Sequence, residues 1–243
     1  PPRALGRHPE SPPPSRGAHT EPADVDGDGR TDVLALLLHG IQVFINQGDG
    51  GFTTMAVIHF SSKPIDADAA DLDHDGDADL AVAYPGSGTN TLLVFQQDAG
   101  VFTQSGVLSM PGLKHLVLHD VNDDGHLDVV GVATNSVSGL FSILVRIGAG
   151  DGSFGELQSF SVGSGNLVTM GLAELDGDAQ LELLVGSNED EPVFVFDLVG
   201  GVPVFKEAHD CGLAPLRFVV ADANGDGHDA VVEVVRPVQI RDD

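Results

Sequence analysis

The chain has 243 residues and a formal net charge of −26, from 37 acidic residues against 11 Lys and Arg. A surface this acidic repels phosphate backbones and anionic headgroups, which argues against nucleic acid as a partner and makes cations the natural one. With 31 Gly, a single Cys and 42% apolar residues, it lacks the thiols for an internal disulfide and reads as many short strands joined by tight turns; no apolar run is long enough to predict membrane insertion.

Residues 1–22 (PPRALGRHPESPPPSRGAHTEP) are rich in Pro, Arg and Ser and predict a flexible tail or linker, with the folded part at residues 23–243. From there the sequence is periodic. Nine-residue acidic windows open at Asp24, Asp71, Asp120, Glu174 and Asp222, spaced by 47, 49, 54 and 48 residues. Together they hold 20 of the 37 acidic residues, so the charge is placed and not spread as a solubilising coat. A fixed period near fifty residues signals a propeller or solenoid.

Each period predicts four strands. An apolar stretch leads in (113–120, 166–174, 215–222), and the acidic loop follows. A second stretch (32–39, 79–84, 128–134) leads through a short turn to a third (41–47, 91–97, 141–147, 193–199). A Gly/Asp turn ending in an aromatic comes next: GDGGF at 48–52, DAGVF at 98–102, GDGSF at 150–154 and GGVPVF at 200–205. A fourth stretch (53–60, 156–162) closes the unit. Four short strands with short connections make one antiparallel blade. The predicted fold class is therefore all-β, a β-propeller of four complete blades and one partial blade. The units open near residues 18, 66, 113, 166 and 215, and the phenylalanine after each turn is predicted to lie between neighbouring blades. An open array implies self-association or further blades from a parent protein to cover its edges.

The loops carry the chemistry. Loop one, DVDGDGRTD, places Asp24, Asp26, Asp28 and Asp32 at positions 1, 3, 5 and 9. Loop two, DLDHDGDAD, has Asp71, Asp73, Asp75 and Asp79 there, and loop three, DVNDDGHLD, has Asp120, Asn122, Asp124 and Asp128. Calcium is a hard cation that takes six to eight oxygens at ~2.3–2.6 Å, and alternate side chains converge on one centre as the backbone curls. Glycine at position 6 permits the turn. Position 7 offers a carbonyl (Arg30, Asp77, His126), and position 9 closes the cage. His and Cys are absent from the ligating positions, which disfavours zinc and copper. Loop four, ELDGDAQLE, supplies Glu174, Asp176, Asp178 and Glu182 but has Ala179 where the others have glycine. Loop five, DANGDGHDA, supplies Asp222, Asn224, Asp226 and the carbonyl of His228, with its last carboxylate, Asp229, one residue early. Three to five Ca2+ ions are expected.

The repeated D-x-[DN]-x-D-G-x-x-D loop before an apolar strand, with a following GDGxF turn, resembles the FG-GAP/VCBS repeat family, over about 220 residues. The Phe-Gly and Gly-Ala-Pro signature of integrin α-subunits is not evident beyond Phe154-Gly155, so the likeness is to the VCBS branch. The resemblance implies a calcium-binding propeller with its loops on one rim, a secreted or cell-surface setting with the signal segment outside this chain, and a lectin-like or cell-adhesion role with a protein or carbohydrate ligand. The expected function is thus binding or scaffolding, not catalysis. The alternative is an accessory or catalytic propeller of a polysaccharide-degrading enzyme, for which His115 and His119 are the histidines on offer; alternation along their strand reads them more simply as blade residues.

Overall fold

The computed structural model describes residues 19–86, 90–134, 140–164, 167–177, 180–187, 192–210, 215–221 and 230–235. Among them are eighteen strands. Blade one consists of β1 (His19–Ala23), β2 (Asp32–Leu37), β3 (Gly40–Asn46) and β4 (Phe52–His59). Blade two is built from β5 (Asp66–Ala70), β6 (Asp79–Pro85), β7 (Asn90–Asp98) and β8 (Val101–Ser109). Blade three has β9 (Leu113–His119), β10 (Asp128–Thr134), β11 (Leu140–Arg146) and β12 (Gln158–Ser164). Blade four has β13 (Leu167–Ala173), β14 (Glu182–Ser187), β15 (Pro192–Val199) and β16 (Val202–Asp210). A two-stranded sheet, β17 (Pro215–Ala221) with β18 (Ala230–Val235), follows. In every blade the strands pair antiparallel in chain order, giving four four-stranded blades arranged as a β-propeller.

The blades hold together face to face. The middle strands are continuous apolar runs because both of their faces are covered. In β6, Leu80 and Val82 join Leu34, Leu36, Ile41 and Val43 in one core between blades one and two, while Ala81 and Ala83 join Leu116, Leu118 and Val129 in the next. Val130, Val132, Phe141, Ile143, Leu183 and Val185 fill the third core, between blades three and four. A one-residue slip in any middle strand would exchange the two cores, which fixes the register.

Two leading strands differ from what their composition suggests. β1 lies partly within the segment read as a tail, because its pairing is carried by main chain: His19 to Ala23 lie opposite Leu36 to Asp32. β5 reads DADAA, yet it is a leading strand whose acids reach the next blade. Asp66 Oδ2 accepts from Leu116 N–H (3.1 Å) and Asp68 Oδ2 from Leu118 N–H (2.9 Å), stitching β5 to β9.

The turn phenylalanines divide. Phe102 packs in the core between blades one and two, and Phe154 in the core between blades two and three. Phe52 is 48% exposed, because it corresponds to Phe102 and faces the side of blade one away from blade two. Phe205 is 57% exposed, since it lies further along its strand. The two-residue turns are equal in length (Val199 faces Val202, Asp98 faces Val101), but Phe205 pairs with Phe196, in the place of Gln104 opposite Phe95 and not of Phe102 opposite Gln97. For these two the expected interblade packing fails.

Candidate metal centre

Each acidic loop joins the first and second strands of a blade, and its shape follows from two left-handed residues and the aspartates that cap them. Position 4 has positive φ in all four described loops (Gly27 70°, His74 63°, Asp123 60°, Gly177 84°). The glycine at position 6 does as well in the first three (Gly29 83°, Gly76 97°, Gly125 86°). Glycine meets this at no steric cost, and His and Asp are among the few other residues enriched there. The turn inverts the chain so that its amides point inward. Asp24 accepts from Asp28 N–H (3.1 Å) and Gly29 N–H (2.9 Å). Asp120 accepts from Asp124 N–H (3.2 Å) and Gly125 N–H (2.8 Å), and Asp71 from Gly76 N–H (3.1 Å). At position 5, Asp28, Asp75 and Asp124 each accept from the amide of position 7, at 2.9 Å in all three.

Position 9 has a role that spacing does not reveal. Asp32, Asp79 and Asp128 are wholly buried and each bridges two backbone amides. One oxygen accepts from position 2 of the loop: Val25 N–H (2.8 Å), Leu72 N–H (3.1 Å) or Val121 N–H (3.0 Å). The other accepts from the third strand or the residues just after it: Asn46 N–H (2.7 Å), Gln97 N–H (2.9 Å) or Gly148 N–H (2.8 Å). These carboxylates clamp the loop to its blade. Burial pushes Asp79 up to about 6 against the pull of its two amides, and the carboxylates of Asp73 and Asp75 add to the rise. Asp128 is raised for the same first reason.

Among the described residues, carboxylates converge in loops one and two. Asp24, Asp26 and Asp28 bring ligand atoms within 4.8 Å of one another, as do Asp71, Asp73 and Asp79. Loop two has a further feature: Asp71 Oδ1 and Asp73 Oδ1 are buried and have no hydrogen-bond partner. Such oxygens are costly to leave unmatched, and a hard cation matches them. In loop one, desolvation and then the Asp28 and Asp32 carboxylates raise Asp26. In loop three Asn122 donates its amide to Asp124 Oδ2 (2.9 Å), and the Asp124 carboxyl is held low, first by the His126 amide.

The position 7 residues also serve their loops through side chains. Arg30 pairs its guanidinium with Asp28 and donates Nε to Asn46 O (2.9 Å); Asp77 accepts from Ala99 N–H (3.2 Å). His126 Nδ1 lies 3.0 Å from His74 Nε2, linking loops two and three. Neighbouring blades also fix the loops. Gly152 N–H donates to Leu72 O (3.0 Å), Gly201 N–H to Val121 O (2.8 Å), and Gln97 Nε2 to Val25 O (3.4 Å). Gln96 Nε2 holds Asp73 Oδ2 at 2.7 Å, a partner that nothing in the acidic motif signals.

Loop four is different. Glu174 accepts from Gly177 N–H, and Glu182 accepts from Leu175 N–H (2.8 Å). Asp176 and Glu182 both engage the ammonium of Lys206. Asp178 lies outside the described residues, as do Asp222, Asn224, Asp226 and His228 of loop five. Of the two histidines considered for catalysis, His115 Nδ1 lies 3.3 Å from Asp66 Oδ2. His119 lines a cleft with Asp120, Asp123 and Gln180.

The FG-GAP-like repeat profile matches this chain three times, at residues 24–82, 71–131 and 120–185. The chain belongs to the FG-GAP-like repeat family. Its three matched repeats open on Asp24, Asp71 and Asp120, the first residue of each loop. Among solved structures it resembles one described as specific recognition of non-reducing terminal N-acetylglucosamine by an Agrocybe aegerita lectin (19% identity, TM-score 0.56, 89% of this chain and 60% of that one). It also resembles BBS1N in complex with ARL6DN (11% identity, TM-score 0.56, 89% of this chain and 74% of that one). At these identities the likeness is one of fold, and this FG-GAP chain spans 60% of the lectin's length. Comparison with curated proteins finds no match.

Proposed function

We propose that this FG-GAP propeller is a calcium-stabilised extracellular module for binding or scaffolding, not an enzyme. The observation that carries the reading is the pair of buried, unpartnered oxygens, Asp71 Oδ1 and Asp73 Oδ1, beside the Asp79 carboxylate. Asp71, Asp73 and Asp79 would hold one ion, and Asp24, Asp26 and Asp28 a second. The ion supplies positive charge to carboxylates that otherwise repel one another. The loops themselves contribute an all-oxygen donor set, which suits calcium over softer metals. Module sites of about 10⁻⁴–10⁻³ M affinity fill at extracellular calcium levels, which favours a secreted or cell-surface setting. The lectin and protein-complex neighbours support a carbohydrate or protein ligand, by analogy of fold alone.

A cation that binds only the folded state adds stability by mass action. Thermal melts in 2 mM-scale calcium and in excess EDTA therefore test the reading. Chelation lowers Tm, and a melt indifferent to EDTA refutes structural calcium. A glycan array read for retention, with product analysis for turnover, separates binding from catalysis. Turnover abolished by His115→Ala or His119→Ala would overturn the non-enzymatic assignment.

A further inference from the structure

Blade four repeats the architecture of blades one and two with one residue changed in kind. In all three, the pairing of the third and fourth strands skips one residue at a β-bulge. The skipped residue is Met55 in blade one, where Val43 faces Ala56 and Phe44 faces Thr54. In blade two it is Ser105, between the Val94–Gly106 and Phe95–Gln104 pairs. In blade four it is Lys206, between Val195–Glu207 and Phe196–Phe205. A bulge re-aims the side chain it carries. Here it sends an ammonium to the acidic loop: Lys206 Nζ lies 2.7 Å from Asp176 Oδ2, 2.8 Å from Glu182 Oε1 and 3.0 Å from Asp197 Oδ1.

We propose that Lys206 is the resident cation of loop four and takes the place of a divalent ion there. An ammonium has three donors, and the three carboxylates engage all of them. Glu182 is 2% exposed, and its two oxygens are matched by Leu175 N–H and Lys206. In loops one to three the second oxygen of the position 9 carboxylate goes instead to a backbone amide of the same blade. Glutamate at position 9 adds the methylene that extends the carboxylate towards the lysine. Asp197 stands where blade two has Gln96: each follows the phenylalanine that pairs beside the bulge, and Gln96 serves loop two as a neutral donor. A lysine ammonium is charged at ordinary pH, and the three carboxylates around Lys206 favour that charged form. A divalent ion bound to Asp176 or Glu182 would lie within a few ångströms of that charge, and the repulsion disfavours it.

The inference rests on the calcium reading only for its ion count, and the test keeps the two apart. Metal-stripped protein is titrated with calcium chloride, and bound ions are counted by native mass spectrometry. Asp73→Asn should hold one ion fewer than wild type, and Asp176→Asn the same number as wild type. Loss of an ion in Asp176→Asn overturns the proposal. In ion-free buffer, Lys206→Met should lower Tm by roughly 5 °C or more, because it strands the Glu182 carboxylate in a buried site, while Lys206→Arg keeps the charge and most of the stability. An unchanged melt for Lys206→Met also overturns it. If wild type holds no ion, the calcium reading falls, and Lys206 is judged by these ion-free melts alone.

Discussion

The most informative perturbation is at Asp79, which has two roles in loop two. Its oxygens clamp Leu72 and Gln97, and burial together with Asp73 and Asp75 raises its pKa to about 6. An unfolded aspartate titrates near 3.9, so without metal the folded protein holds the Asp79 proton more tightly than the unfolded chain does. The sign follows: stability from this group is greatest below about pH 4 and falls as pH rises through about 6. Between pH 7.5 and pH 5 the linkage integral is about 1.4 kcal/mol in favour of pH 5, or roughly 3–6 °C in Tm for a chain of this size. Asp79→Asn keeps the side-chain shape and removes the titration. Urea denaturation of both proteins in ion-free buffer at the two pH values isolates the contribution: the wild-type-minus-variant difference should grow by that amount at pH 5. Calcium should erase or reverse the trend by holding the carboxylate ionised. A difference that stays flat with pH in ion-free buffer would refute the argument from burial.

Further predictions test the loops and the blade contacts. Gly152 has φ +77°, and a Cβ there would lie 2.5 Å from Gln96 Nε2. Gly152→Ala should therefore cost about 1–2 kcal/mol by denaturation, chiefly from left-handed strain. It should also weaken calcium binding at loop two, through displacement of Gln96 from Asp73. Phe154→Ala, within an interblade core, should cost about 2 kcal/mol or more, whereas Phe52→Ala should stay within about 0.5 kcal/mol. Equal losses at the two positions would mean that Phe52 is as covered as Phe154.

The acidic motif was legible as a loop, and the strands around it as blades, because both depend on local rules. Alternation and turn residues specify short strands, and a fifty-residue period specifies repetition. β1 and β5 show where those rules stop. HTEPA and DADAA lack the apolar pattern of a strand, and they are strands because main-chain pairing, and for β5 the Asp66 and Asp68 bonds to β9, hold them in place. Phe52 and Phe205 carry the same turn signature as Phe154 and yet are exposed, since burial depends on a neighbouring blade and on where along the strand the residue falls.

The sequence by itself determined the fold class and the concentration of oxygen ligands at Asp24, Asp71 and Asp120, for spacing along the chain dictates how a nine-residue loop curls. Only the tertiary structure decided how those carboxylates are matched. Position 9 became a buried clamp on two amides, Gln96 arrived at Asp73 from the third strand of the blade, and Lys206 reached loop four from a bulge 24 residues beyond Glu182. Charges interact through space, and the partner that neutralises a carboxylate need not be near it in the chain.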